Sequence, residues 1–483
     1  MRNHSISFFL IIALLIYILP ACNAQGIKNP GTFDTLTAQM DRMALGLLEK
    51  YRVPGAAIAL VHEGEVAWAQ GYGLADESVS MPVLAETVFQ VASISKSITA
   101  WGVMRLVEEG RVDLDEPVEK YLTSWELPAS DFDHQGVTVR RLLSHTAGLD
   151  VWNHPGILLG ETQPSLVDLL SGVPDGETVH IRWQPGSREE YTNGGYVLLQ
   201  LLVEDVTGES FPDYIQRQVL EPLKMNRSSY HWLPLTATGY DPSGKPVEPR
   251  LYPEAAGGLY STVTDLATWL AAGMPGPNGE PAGRGILRPE TLEEMYTPVP
   301  VTEGNSGGLG YDIEILSDGT HMIWHGGQVT GWRGQYAALS NQGEGIVILT
   351  NSEAGRYVIA DVICSWVRWA AGVEPNVCQI YRAIYFVIPA IASLIGLGVI
   401  VYLWRLVAQV RAGKRRFSWP PKDGDQSRNL VLPLAAIALW WFIVAPRIGS
   451  RLPPSFIWIS LGFTLWCLVT TLKGLTDKAG EPT

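Results

Sequence analysis

"FQVASISKSI" (residues 89–98) sets two hydroxyls and an amine, Ser93, Ser95 and Lys96, into an otherwise apolar stretch. On the plain reading the serines cap a helix and the lysine is its solvated face. The sharper reading is a nucleophile that carries its own proton acceptor. If a helix begins at Ser93, residues three apart share a face, and the Lys96 amine reaches the Ser93 hydroxyl. Apolar surroundings disfavour the ammonium and move the lysine towards a competent base. A helix start also offers unpaired N–H groups and a positive dipole, which suit a developing oxyanion.

Working outward, "TLTAQMDRMALGLLEKY" (35–51) has helical periodicity, and "GAAIALVHEGEVAWAQGYG" (55–73) reads as two strands about a Glu63-Gly64 turn. Residues 94–121 read as a helix interrupted near Gly110. A Pro/Gly-rich region of helices and loops follows, from about 122 to 295. Strands return in "GLGYDIEIL", "HMIWHGG", "GQYAALS" and "GIVILTN", and "RYVIADVICSWVRWAAG" closes the body as a helix. Strands at both ends with helices between them predict an α+β fold: one antiparallel sheet with a helical insertion.

Four further segments agree with the first: "LLSHTAGL" (142–149), "YTNGGYVLLQLLVEDVTGESFPDYI" (191–215), "AAGGLYSTVTDLATWL" (255–270) and "WHGGQVTGW" (324–332). Together they resemble the serine β-lactamase and penicillin-binding protein family, especially the class C enzymes and their D-peptidase and esterase relatives. The resemblance spans nearly all of residues 30–370, in the expected order. It implies a β-lactamase/DD-peptidase-like fold, an antiparallel sheet flanked by helices plus a helical region, with the site between them. It also implies that Ser93 is the acylated nucleophile, Lys96 its partner and Tyr191 a phenolate-type base, the last two forming a coupled pair. Asn193 would hydrogen-bond the substrate amide. His325, Gly326 and Gly327 occupy the place of the family's Lys-Thr-Gly strand, and the N–H groups of Ser93 and Gln328 would form the oxyanion hole. No cofactor is implied.

The departure from Lys-Thr-Gly matters, because lysine charge and threonine hydroxyl there hold a carboxylate. Gly326 has no side-chain donor, and histidine is largely neutral at pH 7. Arg333 is a candidate substitute of unknown direction. Amide, N-acyl or ester substrates are therefore favoured over β-lactams and peptide C-termini. His145 reads as a loop-fixing hydrogen bonder and Ser95 as an auxiliary hydroxyl. "GNSGG" (304–308) satisfies G-x-S-x-G, but Ser306 follows a Pro-rich loop and lacks the strand-to-helix context of a nucleophile elbow.

A formal net charge of −14 argues against nucleic acid as a partner. Neither C-x-x-C nor H-E-x-x-H occurs, so no metal site is expected. Of the four cysteines, Cys364 and Cys378 are the two that could pair outside the cytosol. Residues 1–24 read as a signal peptide cleaved after Ala24, and "LPAC" also resembles a lipobox ending at Cys22.

After residue 380 the composition turns apolar. Residues 383–404, 430–446 and 452–472 are uncharged runs near the length of a membrane-spanning helix. The loop 405–429 holds Arg405, Arg411, Lys414, Arg415, Arg416, Lys422 and Arg428, against Arg447 and Arg451 in the next loop, so it is expected to be cytoplasmic, as is the tail 473–483. That leaves a hydrolase domain at 30–372 outside the bacterial cytoplasmic membrane, with the lipid bilayer and a small-molecule or peptide substrate as partners. The expected function is a membrane-anchored serine hydrolase that opens D-amino-acid peptide, N-acyl or ester bonds through an acyl-enzyme. The alternatives are a peptidase removing an N-acyl-D-amino-acid cap from a prodrug during export, a β-lactamase, and a non-catalytic penicillin-binding-like receptor.

Overall fold

Glu63 and Gly64 take left-handed backbone angles, φ 53° and 75°, as a two-residue hairpin turn matched to strand twist requires. They join β1 (Gly55–His62) to β2 (Glu65–Asp76), after helix α1 (Phe33–Tyr51). The computed structural model describes residues 31–151, 154–173, 178–373, 375–417, 424–444 and 456–478. Residues 1–24, the expected signal peptide, lie outside these. The chain divides into two compact units, 1–375 and 376–483.

In the first unit β1 and β2 are joined by β3 (Met81–Pro82), β4 (Asp312–Ile315), β5 (His321–Val329), β6 (Trp332–Leu339) and β7 (Glu344–Thr350). They form one seven-stranded sheet in the order β3-β2-β1-β7-β6-β5-β4, antiparallel at every pairing. This is the expected α+β architecture. β1 is covered on both faces. Ala56, Ile58 and Leu60 pack with Leu36 and Met40 of α1 and with Val362 and Trp366 of α5 (Gly355–Ala371). Ala57, Ala59 and Val61 face the larger core of Trp101, Leu266 and Trp269. A strand with no wet face reads as a run of small and apolar residues rather than as an alternation.

Three helices of that larger core position the site: α2 (Ser95–Glu108), α3 (Asn193–Thr207) and α4 (Val263–Ala272). The helix expected over 94–121 is shorter than its pattern. It ends at Glu108, Gly110 follows at φ 68°, and only a single 3₁₀ turn recurs at 118–120. Its start also differs. Ser93 lies in a 3₁₀ turn, Ala92–Ile94, and α2 begins at Ser95. Ala92 has φ 51°, a strained left-handed setting for a residue with a side chain, and this offsets the serine from the helix proper.

β4 pairs only with residues 321–324 of β5. The rest of β5 runs past that neighbour and backs onto the 3₁₀ turn. A Cβ on Gly327 would stand 2.1 Å from the Val91 carbonyl oxygen. Gly334 lies opposite Gly327 on β6, and a Cβ there would come within 3.3 Å of Ile94 Cδ1. Glycine at both positions lets the turn lie against the strands.

The second unit contains α6 (Asn376–Arg411), α7 (Gly424–Leu439) and α8 (Phe456–Gly474), with a short antiparallel pair, 415–417 and 476–478. Among the described residues no helix is long and apolar enough to cross a membrane. The expected spans at 383–404, 430–446 and 452–472 thus find no support here, and they fall in part on residues outside those described. Cys364 and Cys378 are each disulfide-bonded, and Cys467 is free and buried.

Candidate active site

The 3₁₀ turn presents Ser93 to a cleft of about 360 Å³, whose lining includes Asn193, Tyr252, Ala256 and Gln328. One helical turn on, Lys96 is fully buried. Its Nζ lies 3.2 Å from Ser93 Oγ, 2.7 Å from Asn193 Oδ1 and 2.7 Å from the Ala256 carbonyl oxygen. All three partners are uncharged. Burial pulls the Lys96 pKa down to about 7, against the opposing pull of the Asp312 carboxylate. As the neutral amine, Lys96 donates to the two oxygens that only accept and turns its lone pair on the Ser93 hydroxyl.

Asn193 reaches the lysine because it opens α3, where the Thr192 side chain caps the helix by accepting from the Gly194 N–H. Tyr191, two residues earlier, is 40% exposed as a residue, while Ser93 hydrogen-bonds its hydroxyl. The tyrosine ring lies 4.9 Å from Lys96 Nζ and 4.4 Å from the ring of His145. Burial pushes the Tyr191 pKa up, and the Ser93 hydrogen bond opposes this only in part. Burial thus disfavours the expected phenolate form, and the lysine beside it sits over the ring face.

His325 is buried on β5, and its Nδ1 meets the Gly326 carbonyl at 2.8 Å. A carbonyl only accepts, so Nδ1 carries the proton and Nε2 is bare. Burial and the Lys96 charge draw the His325 pKa down to about 4. This position therefore supplies no cation. Arg333 does not replace it. Its guanidinium donates to the carbonyls of Val329 and Trp332 and pairs with Glu353 at 3.3 Å. Among the described residues, no lysine or arginine lines the Ser93 cleft.

Ser95 donates to the Ala92 carbonyl at 2.6 Å and accepts from the Leu259 N–H at 3.1 Å, which braces the strained turn. His145, at φ 57°, accepts from the Thr192 N–H at 3.4 Å and backs the Tyr191 ring. Both are supporting residues, as expected. Ser306 donates to the Val299 carbonyl and lies outside the Ser93 cleft. The structure thus gathers Ser93, Lys96, Tyr191, Asn193, His325, Gly327 and Gln328 around one turn. Sequence reasoning missed the Ala256 carbonyl, Tyr252 and Asp312. "AAGGLYS" had marked the first by its segment, and an acid at the first position of the strand "DIEI" was the available signal for Asp312. Among the described residues no cluster of three or more His, Cys, Asp or Glu side chains could hold a metal ion.

The Beta-lactamase family model matches residues 36–361. Protein flp of Staphylococcus aureus (strain N315) is 25% identical over 324 residues, which cover 65% of this chain and 62% of flp. The chain thus spans less than two thirds of that relative's length. Esterase EstB of Burkholderia gladioli is 28% identical over 334 residues, covering 59% of this chain and 81% of EstB. Among solved structures, the octameric penicillin-binding protein homologue from Pyrococcus abyssi aligns with a TM-score of 0.55 at 28% identity. That alignment covers 69% of this chain and 78% of the other.

Proposed function

The chain belongs to the Beta-lactamase family, and from that premise we propose a serine hydrolase that opens uncharged amide or ester bonds through an acyl-enzyme on Ser93. The observation that carries this reading is the 3.2 Å approach of the Lys96 amine to the Ser93 hydroxyl, made inside an apolar core. As Ser93 Oγ attacks the carbonyl carbon, its proton passes to the Lys96 lone pair. The oxyanion is held by N–H groups at the Ser93 turn and at Gln328. Tyr191, a phenol in contact with Ser93, hands a proton to the leaving amine or alcohol and takes its replacement from Lys96. Water then repeats the sequence on the acyl-enzyme.

The substrate class follows from the charges that the cleft lacks. His325 is neutral and Arg333 is committed to Glu353, so neither offers a cation to a substrate carboxylate. This favours esters and N-acyl amides over cephalosporins and free peptide C-termini, and it accords with the name of EstB. The deciding experiment offers the purified protein p-nitrophenyl esters, D- and L-configured N-acyl amides and a chromogenic cephalosporin. Turnover of the first two classes, lost in Ser93→Ala, supports the reading. Efficient cephalosporin turnover, or a stable adduct without turnover, goes against it.

We further propose that residues 376–483 attach this hydrolase to the outer side of the bacterial cytoplasmic membrane. The support is the uncharged runs and the Lys/Arg-rich loop between the first two of them. Carbonate extraction of membranes separates attachment from simple solubility.

A further inference from the structure

Asp312 opens β4 and pairs in register with Trp324, one residue before His325. It lines a small cavity together with Glu189, His145, His325, Gly310 and Tyr311. The cavity abuts the Lys96 turn, since a Cβ on Gly310 would stand 3.5 Å from the Lys96 carbonyl oxygen. Gly310 is held there by the Ser97 hydroxyl, which donates to its carbonyl at 2.7 Å. Two of the lining rings, His145 and His325, also neighbour Tyr191, at 4.4 and 6.1 Å.

Lys96 forms no ion pair among the described residues. Its charge bears on the buried groups around it instead. The groups facing it are Asp312 from β4, His145 from the loop after residues 139–143, Tyr191, Tyr196 from α3 and His325 from β5. Asp312 in turn faces Glu189, Tyr311 and, on β6, Tyr336. The two histidines are kept neutral, and Tyr191, Tyr196, Tyr311 and Tyr336 are kept protonated. Glu189 is pushed towards its neutral form by burial, and it accepts the Gly307 N–H at 2.9 Å.

We propose that Asp312 is a positioning residue for Lys96: its carboxylate, enclosed beside the lysine turn, sets the fraction of Lys96 that stands ready as a base. The inference rests on Lys96 acting as the base for Ser93. An anion held near an ammonium in a dry site favours the charged lysine, and neutralising it releases the amine. Burial pushes the Asp312 pKa up to about 6 while Lys96 pulls it back, and Lys96 itself titrates at about 7. When the pair holds one proton, that proton sits on either partner in a ratio that pH does not change. The ready fraction therefore levels off before a second proton removes it.

The test is the pH profile of kcat/KM on a p-nitrophenyl ester, with circular dichroism as the folding control. In the wild type the acid limb should show a shoulder below the first ionisation. In Asp312→Asn the shoulder should vanish, and the limb should move about one unit towards acid, a roughly tenfold gain in relative rate on the limb. Asp312→Glu should keep the two-step limb. A merely structural role would lower kcat and leave the limb in place. An unmoved limb in folded Asp312→Asn overturns the proposal. Where that variant does not fold, a wild-type limb of single unit slope overturns it. Undiminished turnover by Ser93→Ala would instead refute the underlying hydrolase reading, whatever Asp312→Asn does.

Discussion

Lys96 Nζ stands 3.2 Å from Ser93 Oγ and holds its other two hydrogen bonds with Asn193 Oδ1 and the Ala256 carbonyl. The two acceptors fix the amine from α3 and from residues 254–257, so the lone pair has one direction left. Lys96→Arg keeps the charge but cannot give up a proton at usable pH. The variant should fold and lose about 100-fold or more in kcat/KM. A folded Lys96→Arg enzyme with near wild-type rates would remove Lys96 from the chemistry.

Folding strips part of the proton affinity from Lys96, whose pKa falls to about 7 from its ordinary 10.5. The unfolded chain therefore binds more proton than the folded one between these values, and this group makes stability rise with pH across that window. Replacing Lys96 with Met should reduce the slope of Tm against pH between about 7.5 and 10. Scanning calorimetry at three pH values checks the sign; an unchanged slope contradicts it.

Labelling separates the two serines that fit catalytic motifs. Ser93→Ala should abolish covalent modification by a fluorophosphonate. Ser306→Ala should leave it intact, because the Ser306 hydroxyl is engaged by the Val299 carbonyl and has no lysine among its hydrogen-bond partners. Mass spectrometry of the labelled peptide reads the outcome directly. Modification that persists in Ser93→Ala and disappears in Ser306→Ala would move the nucleophile.

Gly327→Ala should be disproportionately costly for one methyl group. The added Cβ would stand 2.1 Å from the Val91 carbonyl oxygen, and backbone on both sides leaves little room to yield. A loss of about 1–3 kcal/mol is expected from overpacking, with activity falling further because the displaced turn carries Ser93. Urea melts and ester turnover measure the two effects; wild-type activity in the variant would mean that the turn does not rest on this strand.

The Ser93 and Lys96 spacing, the Glu63-Gly64 hairpin and the strands near the end of the body were legible because each is a local pattern. The charge-free character of the His325 strand could be read in outline, since glycine at 326 cannot donate. What stayed hidden depends on the chain returning from far away. The Ala256 carbonyl is a backbone atom 160 residues from Lys96, and no side chain announces it. The fate of Arg333 turned on Glu353, which lies in a loop beyond the next strand. The contact between Tyr191 and the lysine was foreseen, but the placement of the amine over the ring face was not.

β1 and β7 are neighbours in the sheet, with Ala56 opposite Thr350, and α1 packs with α5 across the same face. The first and last elements of the domain therefore close on one another. Such long-range pairing slows folding, because the loop must be closed before the contacts reward it. A growing chain cannot complete the central sheet until residue 350 has been made. The strand that carries His325 and Gly327 and the turn that carries Ser93 meet only once residue 329 has been made. A partly made chain holds Ser93 and Lys96 together but lacks the strand and the rest of the cleft, so the site cannot be assembled before β5 has been made.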